Sequence, residues 1–136
     1  MRVSLITVLS AAMFAVAVPV LAHHASQAEF DKNSPKTVVG VLTRVQWTNP
    51  HVRWYIDIKN DKGEVETWML QGSGPGAYKA NGISAAGVFP IGKTYTVLIA
   101  PARDGSLGGY AMSWTLPDGT KMDFWHDYGD GSGEKP

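Results

Sequence analysis

The chain has 136 residues with 12 basic and 12 acidic side chains, enough for one domain and without the cationic excess that nucleic-acid binding calls for. Cysteine is absent, which excludes disulfides, thiolate catalysis and cysteine metal sites. Any metal must be held by His, Met, carboxylate or a chain terminus.

The first segment reads as a targeting signal. Arg2 supplies a short basic region, Val3 to Leu21 is almost continuously apolar, and Val20-Leu21-Ala22 ends in a small-x-small cleavage site. The alternative is an uncleaved membrane anchor, because the apolar run approaches the roughly 20 residues that span a bilayer. We expect residues 1–22 to be removed, which takes 22 of the 136 residues and leaves 114. Losing Arg2 leaves 11 basic against 12 acidic residues, a net charge of −1. The expected location is periplasmic or secreted. No stable membrane span is expected after cleavage.

Residues 23–35 are polar, end in Asn33-Ser34-Pro35 and read as an N-terminal arm. A barrel domain is expected over 36–128 and a flexible tail over 129–136. Thr37–Trp47 reads as a long strand with Val39, Val41, Val45 and Trp47 on one parity. Val38 and Leu42 fall on the other parity beside Arg44 and Gln46, and Gly40 is a candidate bend. Thr48-Asn49-Pro50 turns the chain. His51–Lys59 alternates, with Val52, Trp54, Ile56 and Ile58 against His51, Arg53, Tyr55 and Asp57. Asn60-Asp61-Lys62-Gly63 is a hairpin loop.

A third strand is predicted over Val65–Gln71. Glycine and proline then make Gly72–Ala86 irregular, with a short helix around Ala77–Ala80. Further strands are predicted over Thr94–Ala100, over Gly109–Leu116 with Tyr110, Met112 and Trp114 on one face, and over Lys121–Trp125. Short turns with one longer insertion predict an all-β protein, a small five- to six-stranded OB-like barrel with a short helix or irregular insertion after strand three. A flattened sandwich is the alternative.

Several short motifs recur in one order: Ala22-His23-His24 with Ser26, Glu29-Phe30-Asp31, Gly40 to His51 ending in Trp47-Thr48-Asn49-Pro50-His51, Trp68, Arg103-Asp104-Gly105, and Leu116-Pro117-Asp118-Gly119. This set resembles domain-of-unknown-function family 6152, small exported bacterial proteins. The resemblance implies export and a small β-fold, and it brings no activity. Family members often carry a Glu in the third strand after the Trp. Here Trp68-Met69-Leu70-Gln71 has no acid, so a site that used one has lost it.

The candidate chemistry lies at the new N-terminus. Cleavage after Ala22 frees the α-amine of His23, with a pKa of about 7.7–8.0. That amine and the His23 imidazole can chelate one ion, as in a histidine brace. His24 adds a further nitrogen, and nitrogen donors of this kind favour copper(II). His51 is the natural partner, because it follows an Asn-Pro corner and faces away from the apolar side. The candidate metal ligands are therefore His23, His24 and His51, with copper as the expected ion. His126 is a weaker candidate, and Met69 and Met112 could serve Cu(I). The opposing reading makes His23 and His24 solvated, His51 a hydrogen-bonded turn residue and the methionines packing residues.

Five tryptophans suggest a second function. Most should be core, but Trp47, Trp54 and Tyr55 are candidates for an aromatic ligand-binding surface facing a small molecule or a protein. The Gly72–Gly76 stretch lacks the order of a nucleophile elbow and the ending of a phosphate loop, and no calcium loop is present. No catalytic residue is identified. Three readings stay open: a copper-binding protein, a metal-free ligand- or protein-binding module, and, on the weakest grounds, a copper-dependent oxidative enzyme.

Overall fold

The computed structural model describes residues 28–80, 82–83 and 88–124. Six strands run in chain order as β1 (Lys36–Gln46), β2 (Arg53–Lys59), β3 (Val65–Gln71), β4 (Thr94–Pro101), β5 (Gly108–Thr115) and β6 (Lys121–Asp123). The short helix α1 (Pro75–Ala80) lies between β3 and β4. The sheet order is β3-β2-β1-β4-β5-β6, and a parallel pairing of β3 with β5 closes the first five strands into a barrel. The helix after the third strand and the closed five-stranded order are those of the expected OB-like barrel, and β6 extends β5 as an extra strand.

Closure brings β3 and β5 together at Met69↔Gly108, Leu70↔Gly109 and Gln71↔Tyr110. A Cβ on Gly108 would collide with the Met69 carbonyl oxygen. A residue without a side chain therefore permits this close approach.

Alternation in β2 follows the sequence. Val52, Trp54 and Ile56 are wholly buried, while His51, Arg53, Tyr55 and Asp57 are only partly so. In β1 the parity changes partway. Leu42 pairs with Ile56, but Arg44 pairs with Tyr55, which leaves Thr43 as an extra residue. This bulge moves the chain by one side-chain position. Val38 and Leu42 point inward before it, whereas Val45 and Trp47 pack on the core after it. Val39 and Val41 are exposed. The irregularity therefore falls at Thr43, and Gly40 stays in register, paired with Tyr95.

A second bulge corrects the predicted face of β5. Leu98 pairs with Ser113 and Ile99 with Ala111, so Met112 is passed over. Trp114 and Ala111 join the barrel core. Tyr110 and Met112 instead join Phe30 and Ala100 in a separate cluster. Strict alternation could not place all three large side chains on one face once an extra residue entered.

The core is largely aromatic. Trp54, Trp114, Tyr78, Tyr95 and Phe89 are all wholly or almost wholly buried. Trp54 lies 5.1 Å from Trp114 and 5.4 Å from Phe89 between ring centroids. Tyr78 of α1 meets Trp54 edge-on at 5.6 Å and Phe124 at 4.9 Å. Tilted and edge-on contacts suit aromatic quadrupoles. Burial raises the pKa of the Tyr95 phenol, whose hydroxyl donates to the Pro90 carbonyl at 2.9 Å.

The described end of the N-terminal arm is tied to the barrel. Phe30 forms a bridge with Ala102 and is buried. Asp31 N–H donates to the Pro101 carbonyl at 2.8 Å, and Arg103 N–H donates to the Glu29 carbonyl at 2.9 Å. Arg103 and Asp31 form an ion pair at 3.2 Å. The Phe30 ring meets Tyr110 at 6.0 Å. Among the described residues no helix is long and apolar enough to cross a membrane.

Candidate functional site

The site is built where the entry of β2 meets the exit of β3. Gly72 N–H donates to the Val52 carbonyl at 2.9 Å, and Val52 N–H donates to the Ser73 carbonyl at 3.0 Å. These two bonds continue the β2–β3 pairing past Gln71, and because Val52 donates to Ser73 the Gly72 carbonyl is left for His51. His51 stands at its edge, after the cis Asn49–Pro50 peptide. Its Nδ1 lies 3.0 Å from the Gly72 carbonyl oxygen. A carbonyl can only accept, so Nδ1 carries the proton and donates it. In the neutral imidazole this leaves the lone pair on Nε2.

Gly72 is required here by close packing. A Cβ at this position would collide with the Tyr78 hydroxyl and the Trp54 ring. The backbone can therefore lie against the aromatic core on one side while its carbonyl turns out to His51. The next residue links the site to the arm. Ser73 Oγ lies 2.8 Å from the Tyr110 hydroxyl, and Ser73 N–H donates to the Tyr78 hydroxyl at 3.1 Å. Tyr110 in turn packs on Phe30. A continuous chain of contacts thus runs from Phe30 through Tyr110 and Ser73 to the strand exit that holds His51.

The other expected ligands divide between two classes. His23 and His24 lie outside the described residues, as does His126. Met112 is buried beside Phe30, and Met69 is half-buried on the outer face of β3. Among the described residues no three His, Asp or Glu side chains gather into a group that could hold a metal ion. The described structure thus contributes one candidate nitrogen, from His51.

The three aromatic candidates occupy different places. Trp54 is a core residue, wholly buried. Trp47 is half-buried and packs on Tyr78 at 5.5 Å. Tyr55 lies on the outer face of β2, beneath the guanidinium of Arg44 at 3.7 Å, and its hydroxyl donates to Gln46 Oε1 at 2.8 Å. The three do not form one platform.

Sequence reasoning placed His51 but missed its anchor, the Gly72 carbonyl, because a backbone acceptor leaves no trace in residue type. It also missed the Ser73–Tyr110 contact, which depends on the parallel β3–β5 closure. The stacking of Arg44 on Tyr55 follows from the bulge that turns Arg44 outward.

No curated protein sequence matches the chain. The model of the family described as a family of unknown function (DUF6152) matches residues 11–111, so most of the barrel and the motif Trp47-Thr48-Asn49-Pro50-His51 fall within it. On that match, the chain belongs to the DUF6152 family, with a small closed β-barrel as its fold.

Proposed function

We propose that the protein is an exported binding protein that holds copper through the amine and imidazole of His23, the imidazole of His24, and Nε2 of His51. The observation that carries this reading is the bond from His51 Nδ1 to the Gly72 carbonyl. Metal-binding histidines characteristically donate their other ring nitrogen to a carbonyl or carboxylate, which sets both tautomer and ring orientation. His51 has that arrangement, on a rigid strand junction.

The tether of the arm belongs to the same chain of contacts as His51. The arm is tied down at Phe30 and Asp31. From Phe30 back to His23 the chain can extend at most about 25 Å. Its tether, Phe30, connects through Tyr110 to Ser73, the neighbour of the carbonyl that holds His51. Export matters to the chemistry because signal removal after Ala22 creates the chelating amine.

The test is a calorimetric copper(II) titration of protein beginning at His23. It is compared with a form carrying one extra N-terminal residue and with His51→Ala. One ion should bind per chain, and each change should weaken binding by at least about tenfold, the loss of one good donor. Equal affinity in all three forms would overturn the proposal.

A further inference from the structure

The outer face of β1, β2 and β3 carries a second arrangement, independent of the histidines. Strand register sets Arg44 opposite Tyr55 and Gln46 opposite Arg53. On the next strand Met69 lies opposite Tyr55, and Gln71 opposite Arg53. Gln71 is the one buried polar side chain among the described residues, and it pairs in register with Tyr110 of β5. Tyr110, backed by Phe30, bounds this face on the β5 side.

One of the two guanidiniums on this face is held in place. The Arg44 guanidinium carbon lies over the Tyr55 ring, 3.7 Å from its centroid, a cation–π contact. The Tyr55 hydroxyl is fixed in turn by Gln46. Arg44 and Arg53 are diagonal neighbours across the β1–β2 pair, about 7–8 Å apart at the backbone. Their side chains leave the same face of the pair, so two positive charges share it and repel one another. Elsewhere the charged and polar groups find partners: Asp31 takes Arg103, Asp57 accepts from Thr67, and Glu66 accepts from Asn60. Neither Arg44 nor Arg53 has a carboxylate within ion-pair distance among the described residues.

We infer that this face is a binding site for a small organic anion, whose carboxylate or phosphate group bridges the Arg44 and Arg53 guanidiniums. Planar guanidinium forks match the paired oxygens of such groups. Bridging relieves the repulsion between the two cations. The half-buried Tyr55 and Met69 supply apolar surface for the rest of the ligand, and Gln71 lies at the edge with a side-chain amide.

The experiment uses the processed protein, stripped of metal beforehand and kept at constant chloride ionic strength. Benzoate and inorganic phosphate are titrated separately while the side-chain N–H resonances of the arginines are followed by NMR. Saturable shifts at Arg44 and Arg53 are expected with at least one probe. Arg44→Gln and Arg53→Gln should each weaken that binding about tenfold, with the fold retained and copper affinity unchanged. Arg44→Lys should recover only part of the loss, because the charge returns without the planar fork. Shifts that stay linear with probe concentration, or equal binding by the glutamine variants, would overturn the inference. Neither result bears on copper, because His51 and the N-terminus are untouched.

Discussion

The imidazole of His51 is held through one nitrogen, and that decides what the other can do. The bond from Nδ1 to Gly72 makes the neutral ring an acceptor at Nε2. Nitrogen NMR should therefore find the neutral His51 protonated at Nδ1. The opposite tautomer would remove the basis for ligation. Gly72 couples this site to the core. Gly72→Ala forces a methyl group against the Tyr78 hydroxyl and the Trp54 ring. An overpacked position of this kind costs about 1–3 kcal/mol, measurable by urea denaturation. The substitution should also shift the His51 resonances. At this scale the sequence showed which imidazole stands after the Asn-Pro corner and which face it takes. It could not show the acceptor, since a carbonyl oxygen belongs to every residue.

Strand periodicity was clear wherever the strands are regular. The β2 pattern of Val52, Trp54 and Ile56 against Arg53 and Tyr55 survives intact. The patterns of β1 and β5 do not, because Thr43 and Met112 are extra residues opposite their partner strands. Each bulge inverts every later side chain, so one error in register becomes an error in face. Nothing in the local composition marks either bulge. The turns were easier to place, because their chemistry is local. Asp104 and Asp118 each accept a bond from the amide two residues on, at Ser106 and Thr120. These amide bonds, and after them hydrogen bonds from the Ser106 and Thr120 side chains, lower both carboxyl pKa values from the ordinary 3.8. A lowered folded-state pKa means that the charged form is favoured on folding. Its stabilising effect is present above the ordinary aspartate range and is lost as pH falls through the lower folded value. Carboxyl NMR titration should give midpoints below 3.8 for both residues. Asp104→Asn and Asp118→Asn should flatten the acid limb of the stability curve. An unchanged acid limb would contradict this.

The described residues form a closed barrel with the end of the arm, at Glu29–Asp31, fastened to its side. The barrel order was legible from strand count, short turns and the insertion after β3. The docking of Phe30 was not, because residues 23–35 are mostly polar and the pocket for Phe30 is assembled from Ala100, Tyr110 and Met112. Phe30→Ala separates the two parts. Losing a buried phenylalanine costs about 3–5 kcal/mol in a rigid core. Here the arm can undock locally, so global stability should fall by less. Amide exchange should instead accelerate at Asp31 and Arg103, whose N–H groups hold the arm. Under the proposed ligation, copper affinity should fall with it, because His23 and His24 would lose their tether. Exchange unchanged at both amides would show that Phe30 does not fasten the arm. Ligation of copper by the barrel is read directly by pulsed electron paramagnetic resonance of the copper(II)-loaded protein beginning at His23, compared with its His51→Ala form. Nitrogen couplings from several imidazoles are expected, one of which disappears in the variant. Identical couplings in the two forms would show that the barrel contributes no ligand, and the proposed site at His51 would fall.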